Sequence, residues 1–150
     1  MNELILVVED DQANAILLEA ILTEIGGFEV ATTDDGDEVL AAVDQGGPAA
    51  VLMDVSLTGT FVGGTKVDGP ELTRRIRSRP RGANLPVILL SAHAMRGDPE
   101  RYLFESGAND YLTKPILDHE EFIGRIRTQI ESLKSAGQGG GGRLEGEPVP

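Results

Sequence analysis

Five residues of this 150-residue chain pair a reactive side chain with an unusual setting. Glu9 and Asp10 follow directly on the apolar run Leu4-Ile5-Leu6-Val7-Val8. Asp54 ends the run Ala49-Ala50-Val51-Leu52-Met53. Ser91 ends Val87-Ile88-Leu89-Leu90, and Lys114 stands between Tyr111-Leu112-Thr113 and Pro115. A charge at the end of a buried strand is held in place by the sheet yet still reaches solvent. If the strands run parallel, all of these groups lie on one sheet edge, with three carboxylates, a hydroxyl and an ammonium around one pocket. Carboxylates packed together raise each other's pKa. A hard divalent cation relieves this, and carboxylate oxygens with water suit Mg2+, with Mn2+ as an acceptable substitute. Beside such a cation Asp54 can attack phosphorus and form an acyl phosphate. Lys114 would neutralise charge on the transferring oxygens, and Ser91 would hydrogen-bond one of them.

The elements that must place these residues can be read from the hydrophobic pattern. Apolar runs bounded by turn signals predict buried strands at Leu4–Val8, Phe28–Thr32, Ala49–Asp54, Pro86–Ser91 and Asp110–Thr113. Between them lie helical patterns. The first carries Ile16, Leu17, Ala20, Ile21 and Ile25 and stops at Gly26-Gly27. The second spans Gly36–Gln45 with Val39, Leu40 and Val43 on one face. The third opens at Asp68-Gly69-Pro70, presents Leu72 and Ile76 inward, and carries Arg74, Arg75, Arg77 and Arg79 outside. Asp98-Pro99 is expected to start the fourth, with Tyr102 and Leu103 inward and Gly107 as its stop. Asp118 and Glu121 resemble a capping box opening a fifth helix, striped by Phe122, Ile126, Ile130 and Leu133. Five alternations of strand and helix predict an α/β fold, a doubly wound parallel sheet covered on both faces. Ligands of such folds sit beyond the carboxyl ends of the strands.

Composition narrows the function classes. The chain is 40% hydrophobic and has a net charge of −12, from 13 basic and 25 acidic residues. That charge argues against direct nucleic-acid binding or an anionic membrane surface, which call for clustered Lys and Arg. There are no cysteines, so neither disulfides nor a thiolate metal site. The first residues carry no basic n-region, and acids follow five apolar residues, which is neither a signal peptide nor a membrane span. A cytoplasmic protein is expected. Residues 1–134 are expected to form the folded domain and residues 135–150, opening Ser135-Ala136-Gly137-Gln138 and four glycines, a flexible Gly-rich tail.

With these motifs in hand, the chain resembles a response-regulator receiver domain of two-component signalling, of the chemotaxis-regulator type. The segments ILVVEDD, VLMD, VILLSA and YLTKP stand in family order across roughly residues 3–134. The resemblance implies a flavodoxin-like five-stranded parallel sheet of order 2-1-3-4-5 with five helices. It implies Asp54 as phosphoacceptor, Asp10 as a direct Mg2+ ligand, Glu9 as a ligand directly or through water, and the Ser56 backbone carbonyl as a further ligand. It implies Ser91 and Tyr111 as switch residues, Lys114 as the phosphoryl-binding cation, and a cis Lys114–Pro115 bond. It also implies a histidine kinase or histidine phosphotransfer protein as donor. A downstream protein would dock on the face of the fourth helix, fifth strand and fifth helix. Phosphorylation and dephosphorylation would be self-catalysed, in a switch rather than a turnover enzyme.

One stretch departs from the family. Leu57 to Val67 is several residues longer than usual, and Thr60-Phe61-Val62-Gly63-Gly64-Thr65-Lys66-Val67 places β-formers on both sides of Gly-Gly. A small hairpin beside the site is expected, able to shape partner choice or water access. Gly59 to Lys66 is not a phosphate-binding loop, because lysine does not directly follow the second glycine and no helix starts there. Asp54-Val55-Ser56 invites a rival reading as an Mg2+-dependent phosphohydrolase with an aspartate nucleophile, but the second carboxylate of Asp-x-Asp is missing. His93 and His119 are expected at the surface, and Asp11 as a loop acid or helix N-cap. No DNA-binding pattern follows the fifth helix, so a stand-alone regulator is expected, the alternative being a receiver module cut from a larger hybrid kinase or regulator.

Overall fold

The computed structural model describes residues 2–92 and 99–142. Asp98, expected as an N-cap, and His93, expected at the surface, lie outside the described residues. In chain order the elements are β1 (Leu4–Val8), α1 (Gln12–Glu24), β2 (Glu29–Thr33), α2 (Gly36–Gln45), β3 (Ala50–Asp54), β4 (Phe61–Val62) and β5 (Thr65–Lys66). There follow α3 (Gly69–Arg77), a 3-10 turn (Pro80–Gly82), β6 (Val87–Ser91), α4 (Pro99–Ser106), β7 (Asp110–Thr113) and α5 (His119–Gly142). The sheet has the order β2-β1-β3-β6-β7 with every pairing parallel. Because the small hairpin takes two numbers, this is the expected five-stranded flavodoxin-like arrangement, with the expected extra hairpin after the third strand.

Period-two alternation along the central strands feeds two cores. Ile5, Val7, Ala50, Leu52, Ile88 and Leu90 meet α1 and α5 through Leu18, Leu22, Phe122 and Ile126. Their neighbours Leu6, Val8, Val51, Met53, Val87 and Leu89 meet α2 and α3 through Val39, Val43, Leu72 and Ile76. Strands buried on both faces must read as unbroken apolar runs, so the first charged residue marks the strand end and the sheet edge.

The helix termini follow their caps. Asp11 caps α1 by accepting from the Ala13 and Asn14 amides at 3.0 and 3.4 Å. Asp35 caps α2, and Gly46 ends it in the left-handed region at φ 74°. Asp68 and Glu71 form a reciprocal capping box on α3, at 2.8 and 3.0 Å. The Glu121 amide donates to Asp118 at 2.9 Å where α5 opens.

One expectation needs correction. The buried face of α1 is Ala15, Leu18, Ile21 and Leu22, whereas Ile16 is 66% exposed and Leu17 and Ile25 are also exposed. The apolar run from Ala15 to Leu18 fits more than one face of a 3.6-residue period, and docking on the sheet selects between them. The backbone of α5 runs as helix through Gly142.

Candidate functional site

The sheet edge formed by the carboxyl ends of β1, β3, β6 and β7 gathers the acidic and basic residues singled out above. Glu9 lies one residue past β1, and its amide donates to the Thr33 carbonyl at 3.1 Å, which extends the β1–β2 pairing. Asp54 is the last residue of β3, paired with Leu90 of β6. Lys114 follows β7, and its amide donates to the Ser91 carbonyl at 2.7 Å. The Lys114–Pro115 bond is cis.

Glu9 and Asp54 are only 5% and 4% exposed, an unusual degree of burial for carboxylates. The Lys114 ammonium lies between them, 3.1 Å from Glu9 Oε1 and 3.5 Å from Asp54 Oδ1. One carboxylate oxygen from each of Glu9, Asp10 and Asp54 lies within 4.8 Å of the others. Burial, a hydrogen bond shared with Asp54 and the nearby Asp54 charge push the Glu9 carboxyl up to about 7, against the pull of Lys114. One ammonium therefore does not fully compensate this group of acids.

Asp10 is held differently. One of its oxygens, Oδ2, accepts from both the amide and the hydroxyl of Thr58, at 2.8 and 2.9 Å. Burial pushes its carboxyl up, but these bonds outweigh burial and leave it below the ordinary aspartate value. The Ser56 amide donates to Asp54 Oδ1 at 3.2 Å, so the turn after β3 steadies the central carboxylate. Ser56 itself is exposed. The amino end of α3 closes against the same turn. The Gly69 amide donates to the Val55 carbonyl at 3.2 Å, and a β-carbon at Gly69 would run into the Asp54 backbone carbonyl.

Ser91 is buried at the end of β6, across from Thr113 in the β6–β7 register. Tyr111 pairs with Leu89, one alternation deeper along β7, and packs half-buried against the core shared with α2 and α3. Glu9, Asp10, Asp54 and Lys114 thus form one cluster, Ser91 and Ser56 sit on its edge, and Tyr111 lies further along the strand. Thr58 was not foreseen. Its partner is 48 positions away in sequence, and a threonine in a polar loop carries no periodicity that would mark it.

The donor set fits a hard cation, since it consists of carboxylate oxygens with a charge excess that one lysine leaves in place. Among the described residues no helix is long and apolar enough to cross a membrane.

Comparison with known proteins agrees with this geometry. Residues 5–127 match the model of the response regulator receiver domain. The chain is 41% identical over 128 residues to the response regulator PleD of Caulobacter vibrioides, covering 85% of this chain and 26% of that protein. It is 37% identical over 119 residues to the sensor protein GacS of Pseudomonas syringae pv. syringae, covering 77% of this chain and 12% of GacS. The chain therefore spans only a minor part of these curated relatives. Among solved structures it resembles the receiver domain of sensor histidine kinase PA1611 from Pseudomonas aeruginosa PAO1, which has a magnesium ion coordinated in its active site cleft. That likeness has a TM-score of 0.73 at 31% identity, over 87% of this chain and 99% of that one. Motifs, strand order, acidic cluster and family match agree, and the chain belongs to the response regulator receiver domain family.

Proposed function

We propose that this receiver accepts a phosphoryl group on Asp54 from the phosphohistidine of a histidine kinase or histidine phosphotransfer protein. The observation that carries this reading is the Lys114 ammonium set between Glu9 and Asp54, with Asp10 beside them. An Asp54 carboxylate oxygen forms the new bond to phosphorus. The phosphorus–nitrogen bond of the donor breaks, and its electron pair stays on the imidazole nitrogen, which takes up a proton. Lys114 meets the negative charge on the phosphoryl oxygens, and the Ser91 hydroxyl hydrogen-bonds one of them. Glu9, Asp10, Asp54 and the Ser56 backbone carbonyl would hold Mg2+ or Mn2+. When bound, that cation supplies positive charge to offset the carboxylates and the transferring oxygens.

Hydrolysis of the acyl phosphate by water at the same residues resets the protein, so the cycle is a cytoplasmic switch rather than a turnover reaction. Rearrangement of Ser91 and Tyr111 would alter the face of α4, β7 and α5 that a downstream protein reads. Such a shift requires the phosphoryl group to favour one arrangement of that face over the other. Relatives include both a response regulator and a sensor protein, so the proposal concerns the receiver itself, whatever it is joined to.

The test is incubation of the full chain with acetyl phosphate and Mg2+, followed by intact-mass measurement. Wild type should gain one labile phosphoryl group and Asp54→Asn none. Equal labelling of the two proteins would overturn the assignment.

A further inference from the structure

The lengthened loop between β3 and α3 is anchored at three places. At its base, Leu57 and Val67 are buried in the core shared with α2 and α3, and the Val67 amide donates to the Thr60 carbonyl at 3.0 Å. Thr60 itself is fully buried. At the tip, the Gly63 amide donates to the Asp37 carboxylate in the first turn of α2, at 3.1 and 3.4 Å. Between these points the hairpin lies directly on Gly36. A β-carbon there would come within 2.6 Å of both the Phe61 carbonyl and the Val62 side chain, so glycine is what lets the two elements touch. A segment fixed in this way at Leu57 and again at Thr60 has little freedom in the two residues between. Those residues are Thr58 and Gly59, and Thr58 donates both of its hydrogen bonds to one oxygen of Asp10.

We infer that the hairpin, by docking on α2, holds Thr58 against Asp10, and that Thr58 is thereby a positioning residue that preorganises the cation-binding carboxylates. The inference rests on the reading of Asp10 as a cation ligand. With Oδ2 held by Thr58, the carboxylate cannot rotate freely while one of its oxygens lies within 4.8 Å of those of Glu9 and Asp54. Asp10 is only partly buried, so without this tie it would have to be ordered when the cation binds. Partners that orient a ligating carboxylate typically contribute tenfold or more to metal affinity. Asp37 and Gly36, on a different element from the acids, belong to the same device because they seat the hairpin.

The test is titration of the metal-free full chain with Mg2+ by isothermal calorimetry. Thr58→Val keeps the amide and removes the hydroxyl, and should weaken Mg2+ binding by about tenfold, while Thr58→Ser should stay within about twofold of wild type. Asp37→Ala should weaken it by about threefold through the hairpin alone, which keeps the test open should Thr58→Val fold poorly. In the metal-free state, the Thr58 amide proton should move upfield in Asp10→Asn, as a charge-assisted hydrogen bond is lost. Unchanged Mg2+ affinity in both Thr58→Val and Asp37→Ala, with binding lost in Asp10→Asn, would overturn the inference and leave the site reading intact. Wild-type affinity in Asp10→Asn would overturn the site reading, and the inference with it.

Discussion

At the carboxyl ends of the strands, three acidic groups cluster and one ammonium bridges two of them, Glu9 and Asp54. At the amino ends, one guanidinium is shared among four neutral oxygens. Arg77, the last residue of α3, donates to the Gly107 carbonyl from Nε at 2.8 Å and to the Gly82 and Leu85 carbonyls from Nη1 at 2.8 and 2.7 Å. From Nη2 it donates to Asn109 Oδ1 at 2.8 Å. The same Asn109 oxygen accepts the Val87 amide that starts β6. Every acceptor belongs to a turn leading into β6 or β7, so this planar fork fastens α3, the 3-10 turn and the end of α4 to the sheet. Burial pulls the Arg77 pKa below its ordinary value, but its acceptors are well placed. The acidic end is the reverse: burial first, and the neighbouring Asp54 after it, raise the Glu9 pKa further than Lys114 pulls it down. One end is built for stability, and the other gives up stability to hold carboxylates together.

Removing the fork should produce the largest effect on folding. Arg77→Leu leaves four carbonyl-type acceptors with one partner fewer and is expected to destabilise the protein by about 3–4 kcal/mol, read as a lower urea midpoint. Mg2+ affinity of the folded fraction should stay within about twofold of wild type, since the two ends share no contact. A large loss of Mg2+ affinity would show that the ends are coupled and not separate.

A second, smaller break is available at the same end. Gly82 offers its carbonyl to Arg77, and a β-carbon there would collide with the Ile76 carbonyl and crowd its side chain at 2.9 Å. Gly82→Ala should cost about 2 kcal/mol by displacing the turn, with phosphoryl labelling of Asp54 unchanged. A neutral result would mean that the turn shifts freely and that Arg77 does not depend on its position.

The two ends also differ in how far they could be read in advance. Strands buried on both faces have to be apolar until they stop, so Asp54 and the pair Glu9-Asp10 stood out where their runs ended, and their shared edge followed from strand direction. The hairpin was readable from β-formers flanking Gly63-Gly64. What escaped was set by tertiary contact. Docking chose Leu18 and Leu22 over Ile16 and Leu17 on α1, although all four are equally apolar. Arg77 looked like one more surface cation among Arg74, Arg75 and Arg79, because only its placement beside the turns into β6 and β7 makes it a fastening. Thr58 is a site residue by virtue of a contact across the chain to Asp10, and a lone threonine announces no partner.

The finest test of the contrast is a pH dependence at the acidic end. The folded-state pKa of Glu9, pushed up to about 7, exceeds its ordinary value of 4.5, so the folded protein binds more protons at this position than the unfolded chain does. Stability from this group is therefore fully present below about pH 4.5 and is lost as pH rises through about 7. In Glu9→Gln the titration is gone. In the presence of EDTA, the unfolding free energy of Glu9→Gln relative to wild type should accordingly rise between pH 5 and pH 8, by roughly 2–3 kcal/mol. Saturating Mg2+ should shrink or reverse that gain, because a cation favours the ionised carboxylate that only wild type supplies. A difference that stays flat with pH in EDTA would mean that Lys114 already compensates Glu9 in full, and the acidic end would then be as satisfied as the one Arg77 holds.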